Sequence, residues 1–346
     1  MPARDSRRRP SRRCSARGHY VQLRHAPKAR QPPVTNIEPQ DRVLVTGASG
    51  VLGVALVNEL RAHGYESIVA VSSRDFDLRR PTAALRLFRQ ARPDAVFHLA
   101  ARVYGIGGNT SYRAASFLDN IRINTNVVEA AQRWGVKKVV AMGSVAMYSD
   151  SVPLPMREED LWLGPPHSSE APYAQAKRAM LAQLEAYQEE ADLDFALPLA
   201  TNLFGPHDKF NEQTGHVVPS LISKLHRAVQ TGGDFRVWGT GEAQRDFLYS
   251  ADAARAVRLI GERCSGPVNV VSGEPVTVRD LVEELVAVAG FSGTISWDSS
   301  MPDGQRMREY DTEKLRRVGF ASQYSLTAGL AATYAWYSQH HADARR

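Results

Sequence analysis

A short β-rich run, Arg42-Val-Leu-Val-Thr46, passes without a spacer into Gly47-Ala-Ser-Gly50-Val-Leu-Gly53. A helical pattern follows at once, with Leu52, Ala55, Leu56 and Leu60 on one face. This order of strand, glycine turn and helix constrains the fold more than any other feature of the chain. Glycines in such a turn let the backbone approach a pyrophosphate, which then lies at the positive end of the helix. Gly47, Ser49, Gly50, Val51, Leu52 and Gly53 are therefore candidates for contact with a dinucleotide. Further strands are expected at Ser67–Val71, Ala95–Ala100, Lys138–Met142 and Phe195–Leu199, alternating with helices near residues 112–134 and 172–190. Strict alternation predicts an α/β fold, a doubly wound parallel sheet of Rossmann type with both faces covered and ligands at the carboxyl ends of its strands.

Length then bounds the organisation. A chain of 346 residues suggests roughly two domains. The expected division is a basic, disordered extension over 1–40, a dinucleotide-binding domain over 41–200 and a smaller, mainly substrate-binding α/β domain over 201–346. The run Pro267–Val271 reads as a buried strand returning to the first sheet. The net charge of +6 hints at an acidic partner, but ten Lys and Arg against two acids fall within residues 1–40, leaving 33 basic against 35 acidic residues elsewhere. The hint belongs to the extension, so no nucleic-acid partner is expected for the folded part. No run of about 18 apolar residues is present, which argues against a membrane helix. Two cysteines, Cys14 and Cys264, form no disulfide framework and fit a reducing, cytoplasmic setting. No metal site is expected.

Ser144 follows the fourth strand, and Tyr173 and Lys177 lie four apart near the start of a helix, on one face. Reduction of a ketone needs hydride on carbon and a proton on oxygen. A free tyrosine, with a pKa of about 10, is a poor acid near neutrality. An adjacent ammonium and the positive nicotinamide ring favour the phenolate and are expected to bring that pKa down. A tyrosine and a lysine four apart are commonplace alone; joined to the glycine turn and to a serine after the intervening strand, they point to catalysis. The spacing Gly-x-x-Gly-x-x-Gly resembles the extended short-chain dehydrogenase/reductase superfamily. At the end of the second strand Ser72-Ser73-Arg74 replaces the acid that would hold the ribose of NAD. A guanidinium suits a 2′-phosphate, so NADP(H) is favoured. Asp77 is a candidate for the adenine edge, and Leu99 and Ala100 for the cofactor at the end of the third strand.

Further segments narrow the resemblance: His98-Leu-Ala-Ala-Arg-Val, Gly164-Pro-Pro-His-Ser-Ser169, Pro172-Tyr-Ala-Gln-Ala-Lys-Arg178, Thr201-Asn-Leu-Phe-Gly-Pro-His-Asp208, Gly215-His-Val-Val-Pro219, Trp238-Gly-Thr-Gly, Arg245-Asp-Phe-Leu-Tyr249 and Pro302-Asp-Gly304. In this order, from about Arg42 to Tyr337, the chain resembles the GDP-L-fucose synthase family, epimerase/reductases of GDP-4-keto-6-deoxymannose. The resemblance implies that Ser144, Tyr173 and Lys177 are the reductase triad and that His216 is the acid of epimerisation. It implies that Arg74 grips the 2′-phosphate, while Ser49 stands where the family has a second arginine. It places Asn202, Val217, Leu221, Lys224, Trp238, Arg245 and Arg308 around a GDP-sugar. It also implies a homodimer, with the helices near 112–134 and 172–190 at the interface.

One departure carries consequences. The family's epimerase base is a cysteine two residues after the serine, and this chain has Ala146 there. Alanine has no proton chemistry, Cys14 lies in the extension, and Cys264 falls near the end of a predicted helix. The expectation is an NADPH-dependent C4 ketoreductase with C3/C5 epimerisation lost. Alternatives stay open: a full epimerase/reductase, or a reductase of another nucleotide 4-keto sugar such as a dideoxyhexose or deoxyheptose. A non-catalytic nucleotide sensor is a class that often lacks the tyrosine–lysine pair, and Tyr173 and Lys177 argue against it.

Overall fold

The strands predicted from the alternation assemble into one parallel sheet. The computed structural model of the chain describes residues 34–103, 111–301 and 307–345. In chain order come β1 (Val43–Thr46), α1 (Val51–Ala62), β2 (Ile68–Val71), α2 (Pro81–Ala91), β3 (Ala95–His98), α3 (Arg113–Arg133), β4 (Lys138–Ala141), the two-residue β5 (Gly143–Ser144), α4 (Ala171–Ala191) and β6 (Asp194–Ala200). Beyond them lie β7 (Asn202–Phe204), α5 (Val217–Thr231), β8 (Phe235–Trp238), β9 (Gln244–Arg245), β10 (Phe247–Tyr249), α6 (Ser250–Arg263) and β11 (Gly266–Val270). The last elements are β12 (Val276–Thr277), α7 (Val278–Ala289), β13 (Ile295–Asp298), α8 (Glu313–Arg317) and α9 (Leu326–His340).

The seven-stranded sheet runs β11-β6-β4-β3-β1-β2, with β5 also on β6. Every residue of β1, β3 and β4 is buried, as a sheet covered on both faces requires. One core joins the sheet to α2, α3 and α4; a second joins its other face to α1 and α6. The direction of winding reverses between β1 and β3, which opens a crevice at the carboxyl ends of these strands. The fold is thus Rossmann-type. A third core, from Phe204 to Tyr337, lies under α5, α7 and α9, and smaller two-stranded pairings β10–β7, β12–β9 and β13–β8 join its segments.

The folded part begins earlier than residue 41. Ile37 is 2% exposed, Thr35 N–H donates to Asp194 at 2.8 Å, and the Thr35 carbonyl accepts from Lys138 Nζ at 2.7 Å. A lone isoleucine among polar residues carries no periodic signal, so composition placed 34–40 with the extension. Residues 1–33, Cys14 included, and Pro302–Gly304 lie outside the described residues.

Candidate active site

A cleft of about 920 Å³ opens over the carboxyl ends of β1, β3, β4 and β6. Gly47, Ser49, Gly50, Val51, Leu52 and Gly53 form one wall. Two glycines are dictated by approach distance. A Cβ on Gly47 (φ +74°) would lie 2.7 Å from Ala100 N, and one on Gly53 would lie 2.3 Å from the Gly47 carbonyl oxygen. Gly50 precedes α1 with no side-chain cap, and the first turn carries no acid. The helix therefore presents unneutralised N–H groups to the cleft, the arrangement that receives a phosphate.

A buried polar chain joins this turn to α4. The Ala100 N–H donates to Thr46 Oγ1 at 3.3 Å, and Thr46 Oγ1 lies 2.8 Å from His98 Nδ1. His98 Nε2 lies 3.2 Å from Asn124 Oδ1, and Asn124 Nδ2 donates to the Ala176 carbonyl at 3.4 Å. Burial, with Lys177 nearby, pushes the His98 imidazole down to about 3, so the ring is neutral and can pass one hydrogen bond each way. His98 and Asn124 hold the geometry of the site without entering the cleft.

Ser144, Tyr173, Lys177 and His216 all line the cleft. Ser144 caps a single 3-10 turn, its Oγ accepting from Ala146 N–H at 3.2 Å. That bond uses a lone pair and leaves the hydroxyl proton to donate elsewhere. Lys177 is fully buried, donates to the Met142 carbonyl at 2.6 Å and lies 5.8 Å from the centroid of the Tyr173 ring. No carboxylate offsets its desolvation, and burial brings its pKa down to about 7. The expected lowering of Tyr173 is not what the protein's own groups produce. Burial, reinforced by the Glu170 carboxylate, pushes the phenol above its ordinary value. A phenol held protonated is the form that donates.

Around the mouth, Asn202, Val217, Trp238, Arg245 and Arg308 line the cleft. Trp238 is 38% exposed, so its role is not core packing; Lys224 Nζ sits 4.0 Å from its ring centroid. Lys224 thus stands behind the tryptophan, and Leu221 is buried in the third core. Arg308 is buried, bridges to Glu170 at 3.1 Å beside the start of α4, and keeps an unpartnered Nε.

The structure gathers these residues but leaves Arg74 exposed outside the cleft wall, its backbone N–H bonded to Ser72 Oγ at 3.2 Å. The cation that lines the cleft there is Arg79. It forms a fork on Asp77 at 2.8 and 3.0 Å, and this hydrogen bonding holds the Asp77 carboxyl below the usual range. Sequence reading passed over Arg79, although an arginine two residues beyond a candidate acid is a usable signal.

Asp208 was also missed as a site residue. It lines the cleft, is buried, and its Oδ2 has no hydrogen-bond partner. Burial raises its pKa, which the charge of His216 opposes. Ala146 is buried and lines the cleft with a methyl group where a base would need an atom that accepts a proton. Cys264 ends α6 in the second core, its sulfur directed to the Ser265 carbonyl at 3.5 Å, and it does not line the cleft. Among the described residues, no cluster of His, Cys, Asp and Glu could hold a metal, and no helix is long and apolar enough to cross a membrane.

Comparison with known proteins agrees with this geometry. Residues 43–271 match the NAD dependent epimerase/dehydratase family. GDP-L-fucose synthase 1 of Arabidopsis thaliana is 36% identical over 299 residues, 86% of this chain and 93% of that protein. The crystal structure of a GDP-L-fucose synthetase from Naegleria fowleri bound to NADP superposes with a TM-score of 0.84 at 32% identity, covering 91% of this chain and 98% of that one. A GDP-6-OMe-4-keto-L-xylo-heptose reductase from Campylobacter jejuni shares the fold at a TM-score of 0.82 and 23% identity, over 88% of this chain and 100% of that one.

Proposed function

Because this chain belongs to the NAD dependent epimerase/dehydratase family and, within it, to the GDP-L-fucose synthases, we propose that it is an NADPH-dependent C4 ketoreductase of a GDP-linked 4-keto-6-deoxy sugar. Epimerisation at C3 and C5 is absent from this proposal. The observation that carries it is an intact Ser144, Tyr173 and Lys177 set in the same cleft as a methyl at position 146.

The glycine turn and the open N-terminus of α1 fit the cofactor's diphosphate; for its 2′-phosphate the guanidinium groups at hand are Arg79, which lines the cleft just before α2, and Arg74, exposed past β2 and outside the cleft wall. NADPH, when bound, supplies the hydride. Tyr173, kept protonated by burial, donates its proton to the C4 oxygen. Ser144 keeps its own proton and donates a hydrogen bond from its hydroxyl to the same oxygen. Lys177 keeps N–H groups beyond the one on Met142, and its charge stabilises the phenolate that Tyr173 becomes. Arg308 and Arg245 suit the sugar's diphosphate, and Trp238 suits a flat ring.

The exposed Phe117 and Leu118 on α3, which packs against α4, support the reading that this helix pair forms a homodimer interface. A cytoplasmic enzyme is the corresponding proposal for its location. The test of activity is NADPH oxidation on addition of GDP-4-keto-6-deoxymannose to the purified chain. Oxidation is expected; failure with this and every other 4-keto nucleotide sugar would remove the reductase reading.

A further inference from the structure

We propose that Arg345 is a ligand of the cofactor's diphosphate, brought to the glycine turn from beyond the last helix. The inference rests on the reading that the cleft takes NADP(H). Its backbone is held firmly. After α9, the Asp343 and Ala344 N–H groups donate to the His340 carbonyl at 3.0 and 2.9 Å, and Ala344 packs on the third core. The Arg345 carbonyl accepts from Phe210 N–H at 2.8 Å. Phe210 is itself fixed, stacked 4.4 Å from Tyr337 and 5.8 Å from Trp336 by ring centroid.

From that anchor the side chain reaches across to the glycine turn. Arg345 Nη1 lies 3.4 Å from the Ser49 carbonyl and 3.8 Å from where a Cβ on Gly50 would stand. Arg345 lines the same cleft as Gly47, Gly50 and Lys209. A guanidinium here meets a single carbonyl at long range, a weak bond that a phosphate oxygen out-competes. Nothing in the first turn of α1 contributes an opposing acid. Ser49 brings no charge of its own to the turn, so Arg345 is the cation beside it. The nearby ionisable groups are consistent: Arg345 favours the charged form of Asp208 and opposes that of Lys209.

The position also selects which phosphate. The turn and the start of α1 receive a diphosphate, whereas a 2′-phosphate lies toward the end of β2 at Ser72–Arg74. NADPH and NADH share the diphosphate and differ in the 2′-phosphate. Replacing Arg345 should therefore weaken both alike.

The experiment is fluorescence titration of NADPH and of NADH into the full chain and its Arg345→Ala and Arg345→Lys variants. Both substitutions keep the backbone bond to Phe210, and unliganded melting curves verify that the fold is intact. Arg345→Ala should raise both dissociation constants about five- to tenfold at low salt, with Arg345→Lys in between and the effect shrinking as salt is added. A loss confined to NADPH would overturn the proposal by reassigning Arg345 to the 2′-phosphate. Unchanged affinity for both nucleotides would overturn it too. Failure of the unaltered chain to bind either nucleotide would instead remove the NADP(H) reading on which the proposal stands.

Discussion

Two lysines, Lys138 and Lys177, have no exposed surface at all, and the protein treats them oppositely. Lys138 opens β4 and is surrounded by acceptors: the Asp194 carboxylate at 3.2 Å and the carbonyls of Thr35 and Cys264 at 2.7 Å each. Lys177, on α4, has the Met142 carbonyl and no carboxylate partner. Burial lowers the pKa of both, and only Lys138 has a carboxylate to oppose it. The first lysine ties the segment before β1 to the starts of the interior strands β4 and β6. The second leaves its desolvation unanswered, beside the phenol proposed to donate the proton. Buried charge that is neutralised serves the fold; buried charge left open serves the chemistry.

That contrast can be broken by exchanging the roles. Lys177→Met should lower kcat for ketone reduction by about 10²- to 10³-fold, with little loss of stability, since an unpaired buried ammonium is replaced by an apolar chain. A large fall in melting temperature without loss of kcat would erase the distinction. Lys138→Met should do the reverse. It strands Asp194, whose remaining partners are Thr35 N–H, Ser265 Oγ and Gln188, and should cost about 3 kcal/mol in denaturant unfolding while kcat per folded molecule holds.

The finest test uses pH. The Lys177 pKa falls from an ordinary 10.5 to about 7 on folding, so between these values the unfolded chain binds more protons and stability should rise with pH. Lys138 shifts the same way, so the share owed to Lys177 is the difference between the unaltered chain and Lys177→Met. That difference should grow through the window, while kcat falls above pH of about 7 as the ammonium is lost. A pH-independent difference would mean that Lys177 is not held near 7.

Much of the catalytic half was legible before the fold was seen. Periodicity and the glycine turn predicted the strands of the sheet, because an α/β chain writes its core as short apolar runs. The shared face of Tyr173 and Lys177 was legible because a spacing of four on a helix fixes it, and the structure brings Ser144 to the same cleft. The illegible residues are those whose meaning comes from partners distant in sequence. Ile37 belongs to the second core, shared with α1 and α6, and its carbonyl accepts from the Tyr65 hydroxyl at 3.3 Å. Asp208 matters because its Oδ2 is buried without a partner, and Arg345 because it meets Ser49. For Tyr173, spacing reveals the lysine but not the burial that, with Glu170, raises the phenol.

The most direct test of a reductase without epimerase is incubation with GDP-4-keto-6-deoxymannose and NADPH in deuterated water, followed by NMR of the product. No solvent deuterium is expected at C3 or C5, and the product should keep the substrate's configuration at both carbons. Deuterium at both positions would show that another group supplies the missing base at Ala146, and would contradict the proposed function.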